Sequence, residues 1–260
     1  MNLDYINLII LMIAILTKML KNFIFPKFKN IPNIKMLQTT RLGGFSSGVY
    51  SSFNLSSNND DNIDDVNKNF QKLEQIVPKI NWINQSHSDR VIKLPSKDLD
   101  GDAVFTYEKN LVCAVRTADC LPILLGNKNG TMVAAIHAGW RSLGLGIIEK
   151  TLDIINSDSE IYAWLGPSIG IEKFVVGSDV YNFFKKNDPK ILNSFTQYHD
   201  KYKLCLPTVA KYKLNNNGVQ KIFGSTIDEY FCTYNDNKRF FSYRRDKVTG
   251  RMASLIWINN

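Results

Sequence analysis

The sequence predicts a mixed α/β (α+β) sandwich: a single compact domain with mixed sheets and flanking helices. Short apolar runs of strand length alternate with turn residues, and segments of helical periodicity lie between some of them. The pattern carries no Rossmann signature, so a doubly wound nucleotide-binding sheet is not indicated. In chain order, the Asn/Asp-rich stretch SSNNDDNIDD (56–65) is a loop running into a helix over residues 64–76, with Val66, Phe70 and Leu73 on one face. Strand-length runs follow at 111–115, 121–125, 131–136, 161–165 and 251–258. Helical patterns fall at 145–155, 180–186 and 207–214. No long repeat or low-complexity linker divides the chain into further domains.

At 260 residues and 44% hydrophobic composition, the chain can bury a large core, and 22% charged residues exclude a disordered tail. The net charge of +8 comes from lysines scattered among asparagines, without a basic block. It supports mild attraction for phosphate-bearing small molecules and gives no specific signal for nucleic acid. Cys113, Cys120, Cys205 and Cys232 form no CxxC pair, and in a chain with a core of its own they read as reduced thiols of a cytoplasmic protein. Residues 8–16, LIILMIAIL, are apolar without a break. They fall short of the roughly 20 residues a spanning helix needs and lack a signal peptide's flanks. Residues 1–18 are therefore an appended segment, with a weak membrane anchor as the alternative, and 19–260 form the domain.

One hairpin brings chemistry together. The runs LPILLG (121–126) and TMVAAI (131–136) are joined by Asn127-Lys128-Asn129-Gly130, a composition suited to reversal. Pairing Gly126 with Thr131 sets Cys120 opposite His137, on one face and with Cβ atoms roughly 5 Å apart. His87, in NQSHSDRVI, follows the apolar stretch 80–83 and holds a similar strand-to-loop position. His199, in QYHDKYK, sits among polar residues and reads as solvated. A thiolate beside an imidazole allows two chemistries: nucleophile and base, as in cysteine hydrolases, or two ligands of zinc. A His, Cys, His set would leave a fourth zinc position open, as catalytic sites do.

The segments TTRLGGFSSG (39–48), GDAVFT (101–106), VRTADCLPILL (115–125), AAIHAGWRSLGLGII (134–148), WLGPSIG (164–170), CTY (232–234) and FFSYRRDKVTGRMAS (240–254) resemble the bacterial laccase-domain family. Its members were first called polyphenol oxidases and are now regarded as purine nucleoside phosphorylases. The resemblance runs from about Met19 to the C-terminus. It implies a single-domain α/β fold and a catalytic zinc site whose ligands map onto His87, Cys120 and His137. It also implies phosphorolysis of adenosine, inosine, guanosine and S-methyl-5'-thioadenosine, with adenosine deaminase activity besides. The older naming makes copper the alternative metal, although one cysteine and two motif histidines are too few for a multicopper cluster. Ser88 and Ser142 stand where glycine is common in the family, and Cys205 where aspartate is.

Phosphorolysis develops positive charge on the sugar and negative charge on the leaving base, and phosphate must be held at the sugar carbon. Arg41 in RLGG and Arg141 after the HAGW turn are the candidate phosphate contacts, assisted by backbone N–H groups of Gly43 and Gly44. Each arginine has a structural alternative, a carboxylate partner that braces a loop. Trp140, Trp164 and Trp257 read as core aromatics, and Cys113 and Cys232 as packed thiols. Tyr243-Arg244-Arg245-Asp246 is either a flap over the ligand or an ion-paired turn. Two other functions compete: a hydrolase with Cys120 as nucleophile and His137 as base, and a non-catalytic, basic nucleic-acid-binding protein.

Overall fold

The structure, a computed structural model, describes residues 20–225 and 231–260, so the appended segment 1–18 lies outside the described residues. The architecture is the predicted mixed α/β sandwich. A six-stranded sheet contains β3 (Val91–Lys93), β4 (Ala103–Thr106), β6 (Leu121–Asn127), β7 (Val133–Ala138), β8 (Ile161–Leu165) and β12 (Lys221–Gly224), in the order β12-β8-β6-β7-β4-β3. Its centre is antiparallel, and its two edge pairs, β12 with β8 and β3 with β4, are parallel. A four-stranded sheet is built from β1 (Phe23–Ile24), β2 (Ile34–Thr39), β5 (Cys113–Thr117) and β13 (Met252–Ile258), in the order β1-β2-β13-β5. A small third sheet joins β9 (Val175–Val176), β10 (Phe195–Tyr198) and β11 (Lys201–Leu204).

Alternation along the strands produces the layers. On β6 and β7, Leu121, Ile123, Leu125, Ala134, Ile136 and Ala138 pack with the helices α2 (Trp140–Leu145), α3 (Ile147–Ile155), α4 (Ser178–Asn187) and α5 (Leu206–Asn216). Their alternate residues Leu124, Val133 and Ala135 meet Met36, Val115 and Ile256 of the four-stranded sheet. The far side of that sheet, with Leu37, Ala114, Leu255 and Trp257, is covered by α1 (Ile63–Glu74) through Leu73 and Phe70. The strand runs read as nearly continuous apolar segments because both faces of the two sheets are buried.

Local chemistry explains where the elements begin and break. The Asn62 side chain accepts from the N–H groups of Asp64 and Asp65 and starts α1 one residue before the predicted position. The helical pattern at 145–155 begins earlier and is split in two, because Gly146 adopts φ +89° between α2 and α3. The 80–83 stretch forms one isolated bridge, Ile80 to Val112, and no strand.

The register of the β6–β7 hairpin corrects the expectation. Gly126 pairs with Val133 and Pro122 with His137, a shift of two residues. Asn127 is the cause: its Oδ1 accepts from the N–H groups of Thr131 and Met132, and its Nδ2 donates to the Thr131 hydroxyl. These bonds enclose residues 131 and 132 in the turn. Since the side-chain period is two, Cys120 and His137 remain on one side of the sheet, but Gly139 stands in line with Cys120 where His137 was expected.

Beneath the helices, Lys213 of α5 is 3% exposed, and its ammonium reaches Glu149 of α3 at 2.5 Å and Asp188 after α4 at 2.9 Å. Three helical segments thus share one buried cation. Lys213→Ala should destabilise the fold by about 2 kcal/mol, because two part-exposed carboxylates would lose the charge-assisted hydrogen bonds they make to one ammonium. Thermal or urea unfolding checks this, and a loss under about 1 kcal/mol would show that water replaces the ammonium.

Candidate metal centre and ligand cavity

Three segments converge at one end of the central sheet. His137 lies inside β7 and is 4% exposed, Cys120 immediately precedes β6 and is half-buried, and His87 sits on an exposed loop. One ligand atom from each lies within 4.8 Å of the others. Cys120 Sγ is 3.6 Å from His87 Nε2, and the two imidazole rings meet edge to face with centroids 4.7 Å apart. Gly139 makes the approach possible: a Cβ there would come within 2.7 Å of the His87 ring and 3.2 Å of Cys120 Sγ.

The His87 loop is fastened from two sides. Gln85 exchanges hydrogen bonds with the Arg116 backbone, donating from Nε2 and accepting at Oε1. Asp102, immediately before β4, accepts from the N–H groups of Ser86, His87 and Ser88. Cys120 is held through its neighbour Asp119, which adopts φ +93°. The Asp119 carboxylate accepts from the Thr233 hydroxyl and the Arg244 N–H, both at 2.6 Å, and its carbonyl accepts from Ile169 N–H.

The electrostatics follow from this packing. Burial alone would raise the Cys120 thiol, but the His137 charge and hydrogen bonds from His137 and His87 outweigh it and lower the thiol to about 6. Burial would likewise lower His137, yet the Cys120 charge and the bond to Asp102 raise it to about 9. At neutral pH the metal-free centre therefore holds a thiolate–imidazolium pair. Two nitrogens and a thiolate are the donor set that zinc prefers, and three protein ligands leave one position for a water or substrate. Among the described residues no other such group of potential ligands occurs.

The centre opens into a cavity of about 680 Å³, within the range of small-molecule sites. Trp140, Ile169, Phe174 and Leu206 supply apolar wall, and Arg116, Arg244 and Arg251 supply cations. Arg116 donates to the Ile83 carbonyl, Arg244 to the Lys173 and Val175 carbonyls, and Arg251 to those of Thr249 and Gly250. None has a carboxylate at ion-pair distance among the described residues. Burial, then the Arg251 charge, lowers Arg116 below its ordinary range, and burial lowers Arg251. Two half-desolvated guanidiniums with no carboxylate at ion-pair distance among the described residues favour an anion between them.

The expected phosphate contacts lie elsewhere. Arg41 is turned to the Ser51 and Asn237 carbonyls and stacks on Phe241. The Gly44 N–H is taken by the Ser52 hydroxyl, and the Gly43 carbonyl by Lys72. Arg141 is exposed and stacks on Trp140. None of these four lines the cavity. Trp164 and Trp257 are core residues, whereas Trp140 is only half-buried and forms cavity wall. The segment 243–246 is a short helix, α6 (Tyr243–Asp246), in which Tyr243 and Arg244 face the cavity while Arg245 pairs with Asp246. Sequence reasoning passed over Arg116 and Arg251; their signal was adjacency to the ADC motif and to the terminal strand. His199 is exposed on the β10–β11 turn.

In metal-free protein, iodoacetamide should label Cys120 readily at pH 7, with the rate falling as pH drops through about 6, where the thiolate is protonated. Cys113, whose thiol burial pushes upward, should stay unlabelled. Peptide mapping across pH 5–9 checks both, and a Cys120 rate that climbs only above pH 8 would contradict the charge pair.

Residues 35–259 match the family described as multi-copper polyphenol oxidoreductase laccase. Among curated relatives, the chain is 42% identical over 246 residues to purine nucleoside phosphorylase YfiH of Escherichia coli, covering 92% of this chain and all of the relative. A purine nucleoside phosphorylase of Haemophilus influenzae is 43% identical over 238 residues, covering 88% of this chain and 96% of that one. Of solved structures, Neisseria meningitidis protein NMB0706 superposes with a TM-score of 0.85 at 38% identity, covering 92% of this chain and all of that one. The Bacillus licheniformis hypothetical protein YfiH superposes with a TM-score of 0.82 at 27% identity, covering 90% and 96%.

Proposed function

Because the chain belongs to the multi-copper polyphenol oxidoreductase laccase family, and its similar relatives carry the name purine nucleoside phosphorylase, we propose that it is a zinc-dependent purine nucleoside phosphorylase. The observation that carries this reading is the cavity itself, with the His87–Cys120–His137 cluster on one side and, on the other, arginines that have no carboxylate at ion-pair distance among the described residues. The substrates are adenosine, inosine, guanosine and S-methyl-5'-thioadenosine. In the reaction a phosphate oxygen bonds to the anomeric carbon as the carbon–nitrogen bond to the purine breaks; the electron pair leaves with the base, which is protonated.

Arg116 and Arg251 hold the phosphate, and Arg244 screens its remaining charge. Trp140, Phe174 and Leu206 enclose the purine and sugar and exclude water from the developing charges. Zinc held by His87, Cys120 and His137 would supply Lewis-acid polarisation and activate water, the chemistry adenosine deamination requires. That second activity replaces the purine amino group by oxygen from water and releases ammonia. The four free thiols suit a reducing compartment such as the cytoplasm. No helix among the described residues is long and apolar enough to cross a membrane.

The low Cys120 thiol supports one competing reading, a hydrolase with Cys120 as nucleophile. Metal analysis and turnover of the same preparations separate the two. Cys120→Ser, His87→Ala and His137→Ala should lose most bound zinc and most phosphorolysis of adenosine, measured as adenine and ribose 1-phosphate, while His199→Ala keeps both. Activity that survives chelation and disappears on alkylation would favour the hydrolase.

The arginine assignment has its own check. Arg251→Gln should raise the phosphate KM about tenfold or more, since a charge-assisted hydrogen bond contributes about 1.5–3 kcal/mol, and should alter zinc content little. A wild-type phosphate KM in this variant would remove Arg251 from the anion site.

A further inference from the structure

We propose that Asp102 is the positioning residue of the metal centre and that Ser88 is its dedicated partner, together fixing two ligands from separate segments. This rests on the metal-centre reading above. Asp102 is 0% exposed and does not line the cavity, so it acts through others. Its Oδ1 accepts from His137 Nδ1 at 2.7 Å and from the His87 N–H at 3.0 Å. Its Oδ2 accepts from the N–H groups of Ser86 and Ser88 and, at 2.7 Å, from the Ser88 hydroxyl. The Asp102 carbonyl also accepts from the His137 N–H at 2.7 Å.

Two consequences follow. With its Nδ1–H committed to the carboxylate, His137 presents Nε2 as its only ligand atom, and the adjacent negative charge makes that nitrogen a better donor. His87 holds φ +61°, a backbone state rare outside glycine, and its own N–H is tied to the same carboxylate oxygen that orients His137. One side chain therefore sets both the direction of His137 and the position of His87. Ser88 extends the clamp: its hydroxyl donates to Asp102 and accepts from the Arg90 N–H, which ties the clamp to the next turn of the loop. A carboxylate that merely capped loop N–H groups would have no need of the imidazole.

Zn(II) affinity of the full chain, measured by competition with a chromophoric chelator, tests this with no need for turnover. Asp102→Asn should lose about 10–100-fold in affinity, the usual cost of removing a group that orients a metal ligand. Ser88→Ala should lose about threefold, the worth of one net hydrogen bond, and Ser88→Thr should restore the wild-type value. In the zinc-loaded wild-type chain, NMR should find His137 protonated at Nδ1 with slow exchange, and Ser88→Ala should speed that exchange. The spectrum and the Ser88 variants decide the matter even where Asp102→Asn does not fold. Undiminished affinity in a folded Asp102→Asn, or zinc on Nδ1 of His137, would overturn the positioning role alone. A wild-type chain that takes up no Zn(II) would overturn the metal-centre reading on which it stands.

Discussion

The pairing of β6 with β7 is the constraint on which the remaining structure depends. Both strands are buried along their whole length, so their backbone groups have no water to turn to and must be satisfied by neighbouring strands. They are flanked by β8 on one side and β4 on the other, and their side chains fill two core layers at once. A one-residue slip would send every one of these side chains to the wrong layer. The register that satisfies the core also places His137 within β7 and Cys120 at the mouth of β6. The turn at Asn127, at the opposite end of the hairpin, thereby governs the geometry of the centre.

Charge is distributed over the site with two signs. Asp102, held at about 2 because the His137 and Ser88 bonds outweigh its burial, and the Cys120 thiolate put negative charge on the sheet side. Arg116 and Arg251 put positive charge on the facing wall; burial lowers both, the Arg251 charge adds to the effect on Arg116, and the Cys120 and Asp119 charges oppose it at Arg251. Separate buried charges of this kind cost free energy unless each finds a partner. A divalent cation at the thiolate and an anion at the guanidiniums would satisfy both, and these are the two occupants that the proposed function requires.

The sequence made parts of this legible and hid others for physical reasons. The mixed α/β class, the α1 face and the buried strands followed from periodicity, which reports local packing. The parity of Cys120 and His137 survived a two-residue error in register because strand side chains repeat every two residues. The error arose because Asn127 was read as a turn former, while its side chain captures two further N–H groups. The RLGG segment looked like an anion loop, but its glycines are there for close packing: a Cβ on Gly44 would collide with the Ser52 carbonyl. Arg116 and Arg251 carried no signal beyond adjacency to the ADC motif and to the terminal strand, because they converge only through the pairing of β5 with β13, where Arg116 lies opposite Ala253. Asp102 was visible in GDAVFT, yet its partner histidine comes from β7 through the β4–β7 pairing.

The position of the thiolate has a topological cause. β5 belongs to the four-stranded sheet and β6 to the six-stranded sheet, so the chain passes from one layer to the other within residues 118–120. So short a passage requires a sharp change of direction, and Asp119 supplies it at φ +93°. An L-residue holds that conformation when its surroundings over-determine it, and here the carboxylate is bonded to Thr233 and the α6 N-terminus while the carbonyl is bonded to Ile169. Cys120 is the next residue, delivered to the gap between the sheets' ends. Arg116 and Arg251 reach the same gap from the four-stranded sheet, and His137 and Trp140 from the six-stranded sheet and its following helix. The crossing point is thus where both layers expose side chains to one cavity.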